Sequence, residues 1–325
     1  MKELEERLKT YEPLWGQWTV GDELYSGSGL RAFELKRSRG EEEVAAMVKV
    51  IEIKGNDEEA EKRLRCVMDS IQKTESLGDC PQVVTIKGDA VYSVADEAGN
   101  PVGWDVLVLG ERLVSLGEEL SRNREFTEEE VRRMGIDICR ALAYAHRREV
   151  FHGSITQDCL YRRPAGGFYM ISGFGGFENQ NEESRTEREL YMAPELMMGE
   201  AAAKESDMYS LGLILYRLLN ENALPFTGDP VDVRERLLNG EAWSLPSKGT
   251  KNLKQAVMMA CVYEADKRFY EASDFRLGLE QAGYGTGKSE KVAEFMLFNR
   301  PVDLRIVSGL CIASFLLGIV VAKFI

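Results

Sequence analysis

The spacing of apolar residues changes once along this chain, near residue 112, and that change limits the folds open to it. Before it, QWTVGDELYSGSGLRAFELKRS and EEEVAAMVKVIEI alternate as strands do, joined through an RSRGEEE turn. VVTIKGDAVYSVADEAGNPVGWDVLVLGE returns to the same period, with AGN as its turn. Between them, residues 56–77 place Leu64, Val67, Met68 and Ile71 on one helical stripe, which Gly78 and Pro81 close. Beyond 112 the period is helical. Thr127 and Glu130 form a capping box ahead of VRRMGIDICRALAYAHRR. Short strand-like pieces at CLY and GFYMIS and a polar run, FENQNEESRTERE, precede SDMYSLGLILYRLLN. That last segment is apolar on nearly every side and belongs in a core. The expectation is an α+β, bilobal domain: a small β-rich lobe with one helix, then a larger helical lobe ending near residue 282.

Composition narrows the class. A net charge of −13 disfavours nucleic acid as a partner, because phosphate binding needs a basic face. With 44% hydrophobic residues the chain can bury a core and is not disordered. Six cysteines, Cys66, Cys80, Cys139, Cys159, Cys261 and Cys311, show no C-x-x-C pair, which reads as reduced thiols of a cytosolic protein. Only His146 and His152 are present, so a histidine metal centre is disfavoured. MKELEERLKTYEP is charged and helical in character, without the apolar core of a signal peptide. The other end differs. IVSGLCIASFLLGIVVA, 306–322, carries no charge and as a helix covers roughly 26 Å. Phe324 and Ile325 extend it and Lys323 can snorkel, so 306–325 is expected to span a membrane once as a tail anchor. Arg300 and Arg305 favour a cytoplasmic position for the rest. Ser314, Gly318 and Ala322 recur every four residues, a spacing that would let two spans pack as a homodimer. The expected organisation is a helical extension, 1–13; a domain, 14–282, with lobes 14–110 and 114–282; a linker, 283–305; and the span. GYGTGKS imitates a phosphate-binding loop, but Ala282 holds its first glycine position and no strand precedes it, so it reads as linker.

The chemistry-bearing motifs come in a telling order. YSGSGLRAF precedes AMVK with Lys49; GERL, 110–113, lies between the lobes; FHGSITQDC follows at 151–159. Then come GFG at 173–175, APE at 193–195, SDMYSLG with Asp207, and EADKRFYEASDF with Arg268. Over residues 14–282 this succession resembles a protein kinase, and YEPLWGQW with the R-F-x-x-A ending resembles bacterial Ser/Thr kinases in particular. The resemblance implies the bilobal kinase fold. It also implies roles residue by residue: Gly27, Gly29, Lys49, Glu111 and Leu113 on the nucleotide side, and His152, Phe174, Glu195, Asp207 and Arg268 as structural residues.

The departures fall on the chemistry. Ser154 stands where the catalytic Asp belongs, Cys159 where the metal-binding Asn belongs, and Gly173 where the metal-binding Asp of D-F-G belongs. Neither a glycine nor a soft thiol suits a hard cation, so Mg²⁺ is left without its ligands and ATP would be held weakly if at all. Thr156 replaces the phosphate-assisting lysine and Gly153 the arginine that would read a phosphorylated loop. Ser184 and Thr186 lie in a charged run that reads as a solvated loop. Tyr25 and Leu30 occupy two glycine positions of the phosphate-covering loop, where Tyr25 would obstruct close approach. The usual glutamate partner of Lys49 is missing; counting back from Pro81 reaches Asp69, Ser70 and Ile71, and Asp69 is the candidate. The expectation is a membrane-anchored pseudokinase, a regulatory or scaffold module whose partners are proteins, an active kinase or a membrane-associated complex. The alternatives are an active atypical Ser/Thr kinase using Asp158, or a tether that holds a partner through residues 1–11.

Overall fold

A computed structural model describes residues 3–27, 30–37, 46–176, 188–226 and 228–281. Residues Met1–Gly283 form one compact unit. The expected linker and membrane span, Gly29, Ser184 and Thr186 lie outside the described residues. No helix among the described residues is long and apolar enough to cross a membrane.

The N-terminal lobe is an antiparallel sheet with helices on both faces. Its strands are β1 (Trp18–Gly27), β2 (Leu30–Arg37), β3 (Ala46–Lys54), β4 (Ile86–Ala95) and β5 (Pro101–Glu111), in the order β1-β2-β3-β5-β4. Side chains alternate across a strand, so a sheet covered on both faces needs unbroken apolar strands at its centre. AMVKVIEI is such a strand. Val48 and Val50 join Leu107 and Leu109 under helix α1 (Leu4–Tyr11), while Ile51 and Ile53 join Val106 and Val108 under α2 (Glu58–Ser76). Asp57 caps α2 by accepting from the Ala60 N–H at 2.9 Å.

The helix α1 is part of this lobe's core. Leu4 and Leu8 are buried with Leu14, Trp18 and Phe33. The buried Arg7 guanidinium donates to both oxygens of Asp105, at 2.8 and 2.9 Å, and to Glu52 at 2.6 Å. Tyr11 donates to Asp105 at 2.8 Å and stacks on Tyr92. The apolar face of α1 is therefore used within the fold.

The C-terminal lobe is helical. A three-stranded sheet, β6 (Val114–Ser115), β7 (Leu160–Arg162) and β8 (Tyr169–Ile171), lines its cleft side. The helices are α3 (Leu116–Ser121), α4 (Glu128–His146), α5 (Pro194–Met197), α6 (Lys204–Leu219), α7 (Pro230–Leu238), α8 (Lys251–Ala260) and α9 (Ala272–Gln281). The apolar segment 206–220 forms α6, buried from Ser206 to Tyr216, and α4, α8 and α9 pack around it. The Thr127–Glu130 capping box is present at the start of α4.

Candidate functional site

The loop 151–159 is held from below by Asp207 in the first turn of α6. Its carboxylate, 1% exposed, accepts from the His152 N–H at 2.8 Å, the Gly153 N–H at 2.7 Å and His146 Nε2 at 2.9 Å. Gly153 has a φ of +71°, a left-handed conformation that glycine adopts without strain. The His152 ring is neutral in its bonding pattern: Nδ1 accepts from the Ser154 N–H at 3.3 Å and Nε2 donates to the Ser172 carbonyl at 2.9 Å. The ring meets that of Phe174 with centroids 5.0 Å apart. Ser70 on α2 donates to the Phe174 carbonyl, and Thr74 donates to the Ser70 carbonyl at 2.9 Å. One connected chain of bonds and ring contacts thus runs from α6 through the loop and the 173–175 turn to the N-terminal lobe.

The positions that would carry phosphoryl transfer are different in kind. Ser154 presents a hydroxyl. Cys159 is fully buried, its thiol facing the Ser154 carbonyl at 3.5 Å and the Thr156 hydroxyl at 3.6 Å. Gly173 has no side chain and a φ of +87°. Asp158 is 3% exposed, and its Oδ1 accepts from the Tyr25 hydroxyl at 2.8 Å. Among the described residues no three His, Cys, Asp or Glu side chains converge as a metal site. The residues present do not fit a magnesium–nucleotide complex: a thiol, a hydroxyl and a glycine offer no pair of hard anionic oxygens for the cation.

The nucleotide side is lined by a buried apolar cluster. Ala32 and Met47 from the N-terminal lobe, Val84, and Leu113, Tyr161 and Met170 from below form one buried cluster, flanked by Leu24, Tyr25 and Phe168. Lys49 is 4% exposed, with its ammonium 3.8 Å from the centre of the Tyr161 ring. Gly27 ends β1. Glu111 pairs through its carboxylate with Arg163 at 2.8 and 2.9 Å. Asp69 is also corrected: it pairs with Lys73 at 2.5 Å on the exposed side of α2, whereas Ser70, one residue on, faces the 173–175 turn. Gly117 at the start of α3 lies against Asp158 and Tyr25. A Cβ there would overlap Asp158 Oδ1 and lie 2.8 Å from the Tyr25 hydroxyl, so only glycine leaves room for this pair.

Glu195 and Arg268 form a buried bidentate pair at 2.6 and 2.8 Å, with Ser206 donating to Glu195 at 2.9 Å. Burial alone would raise the Glu195 pKa; the bonds and charge of Arg268 outweigh it and hold the carboxyl below its usual range.

Comparison with known proteins agrees with this geometry. The protein kinase domain family matches residues 18–271. A cell cycle serine/threonine-protein kinase of Saccharomyces cerevisiae is 30% identical over 206 residues, 61% of this chain and 27% of the relative. A probable serine/threonine-protein kinase of Streptomyces coelicolor is 29% identical over 178 residues, 51% of this chain and 26% of the relative. A serine/threonine-protein kinase of Protochlamydia amoebophila is 30% identical over 136 residues, 35% of this chain and 14% of the relative. The matched part of this chain spans about a quarter or less of each of these relatives.

Proposed function

The chain belongs to the protein kinase domain family, and from that premise we propose that it is a pseudokinase: a regulatory or scaffold module that binds proteins and does not transfer phosphate. One observation carries the reading. Asp158, the carboxylate nearest the vacant catalytic positions, is buried against Tyr25, beneath a cluster of side chains from both lobes. A phosphoryl-transfer site must hold the metal and orient the nucleophile with free carboxylates in an accessible cleft. Here the groups at positions 154, 159 and 173 supply neither, and a buried apolar cluster lies on the nucleotide side.

The proposal extends to place and partners. Segment 306–325 would anchor the chain in a membrane with the kinase-like domain on the cytoplasmic side, and its partners there would be an active kinase or a membrane-associated complex. The uncharged run 306–322 and the flanking Arg300 and Arg305 support this.

The test is thermal stability of the full chain in detergent with ATP, with Mg²⁺, and with both, beside transfer of radiolabelled phosphate. Binding to the native state raises the melting temperature by mass action. The expected result is no shift that depends on both ligands and no label on protein. A shift requiring both, with label transfer, would establish the atypical active kinase instead.

A further inference from the structure

Helix α4 presents a basic stripe to solvent. Arg133, Arg140, Arg147 and Arg148 are all exposed. At 100° per residue, positions 133, 140, 144 and 147 fall in one narrow sector, a line about 21 Å long. Arg140 pairs with Asp137 at 3.0 Å, but that carboxylate is buried and also accepts from the Tyr169 N–H. Arg148 lies over the Tyr144 ring at 3.6 Å. Among the described residues no carboxylate pairs with Arg133, Arg147 or Arg148. The acids nearest the stripe are Glu129 and Glu130, already paired with Arg132 and Arg124, and Glu149 just past the helix. In a chain of 54 acidic and 41 basic residues, this stripe runs against the overall charge.

A second observation comes from where the chain leaves the fold. The last described helix, α9, packs along α4. Leu279 sits so close to Gly135 that a Cβ there would come within 2.6 Å of it. The helix covers the face of α4 opposite the stripe and ends at Gln281, and the uncharged run begins at Ile306. Even fully extended, the intervening chain reaches no more than about 85 Å. Once 306–325 is inserted, the domain is confined near a bilayer surface.

We propose that the outer face of α4 docks onto anionic lipid headgroups and so orients the domain against the membrane; this rests on the membrane reading above. Guanidinium groups match phosphate geometry, and Tyr144 has the amphipathic ring that sits at headgroup depth. Each arginine near an anionic surface contributes roughly fivefold to association. Reversal of three should therefore reduce the docked population by more than tenfold.

The test uses the full chain with Cys66→Ser and Cys311→Ser and a fluorophore on Ala143→Cys, reconstituted into vesicles of phosphatidylcholine alone or mixed with phosphatidylserine. Spin-labelled headgroups report proximity by quenching. Flotation after alkaline wash reports insertion separately. The expected result is flotation with both vesicles and quenching only with the anionic ones. The quenching should be lost in Arg133→Glu/Arg147→Glu/Arg148→Glu and in wild type near 1 M salt, where the Debye length falls to about 3 Å. Equal quenching in both vesicles, or quenching untouched by charge reversal and salt, overturns the docking face while leaving the anchor. Failure to float overturns the anchor itself, and the docking proposal with it.

Discussion

Tyr25→Phe removes one oxygen and tests the Tyr25–Asp158 contact directly. The Tyr25 hydroxyl lies 2.8 Å from Asp158 Oδ1, and Asp158 is 3% exposed. Hydrogen bonds to charged groups contribute roughly 1.5–3 kcal/mol, and a buried acceptor that loses its donor forfeits most of that. We expect a loss of about 2 kcal/mol. Unfolding entropy of about 2.1 cal/mol/K per residue over a unit the size of Met1–Gly283 gives about 0.6 kcal/mol/K, so Tm should fall by about 3 °C. Asp158→Ala will cost more, because it also leaves a void. The informative quantity is the coupling between the two changes, from urea unfolding of both single variants and the double variant, followed by tryptophan fluorescence. A coupling of roughly 1.5–3 kcal/mol is expected, with the double variant hardly worse than Asp158→Ala. Additivity within about 0.5 kcal/mol would refute the reasoning, because it would mean that the two side chains do not act on each other in solution.

Gly117→Ala should destabilise the chain by about 2 kcal/mol or more in the same unfolding assay, and should erase the Tyr25–Asp158 coupling, because the added methyl takes the space of Oδ1. Arg7→Met, which strips Asp105 and Glu52 of their shared cation, should cost roughly 3–5 kcal/mol and lower Tm by at least about 5 °C. Arg268→Met should cost a similar amount at neutral pH, with an acid signature. The Glu195 carboxyl is held below its usual range when folded, so its contribution is full above the unfolded value near 4.3 and is lost as pH falls through the folded one. The gap between wild type and Arg268→Met in melting scans should therefore narrow as pH falls, starting above about pH 4.5, where burial without Arg268 lets the variant's carboxyl protonate, and continuing below it. A gap that stays constant down to pH 3 would refute that assignment. Restoring the family's groups with Ser154→Asp, Cys159→Asn and Gly173→Asp should still give no thermal shift that needs both ATP and Mg²⁺, because the cluster around Tyr161 and Met47 remains in place.

The parts of this fold that follow local rules are legible in the residues alone. Strand period, the α2 stripe, the capping box at Thr127 and the all-apolar α6 depend on neighbours within a few positions. The cleft is legible only through motif order, and there single-residue offsets matter. Asp69 and Ser70 are adjacent in sequence but about 100° apart around α2. A carboxylate was the chemically attractive partner for Lys49, yet Asp69 is turned to solvent and the hydroxyl of Ser70 faces the turn. Tyr25 is readable as an obstruction, but its partner Asp158 lies 133 residues away, and no periodicity connects them. Gly117 gives no signal at all in LGEEL; its small size acquires a reason only when Asp158 and Tyr25 are both placed against it. The pairing of Glu111 with Arg163, from the chain beyond β7, is likewise set by tertiary placement rather than by spacing.

On the pseudokinase reading, the missing carboxylates and the buried cluster over them have one physical cause. In an open kinase cleft, acidic side chains tolerate their proximity because water and cations solvate them. Packing Met47, Val84 and Tyr161 together over such groups would strand uncompensated charge in a dry interior, at a cost of several kcal/mol per ion. Serine at 154 and glycine at 173 remove that cost at the two positions where the family has aspartate, while cysteine at 159 replaces an asparagine that carries no charge. The carboxylate that stays, Asp158, receives a donor from Tyr25, reaching down from β1 in the phosphate-covering loop. The backbone beneath is under separate control. Asp207 holds the loop by its N–H groups, and His152 bonds the Ser172 carbonyl. None of those bonds involves the side chains at 154, 159 or 173. The fold can therefore shed the chemistry without shedding the shape. On the pseudokinase reading, burial of the cluster over these positions no longer strands the charges that catalysis would need.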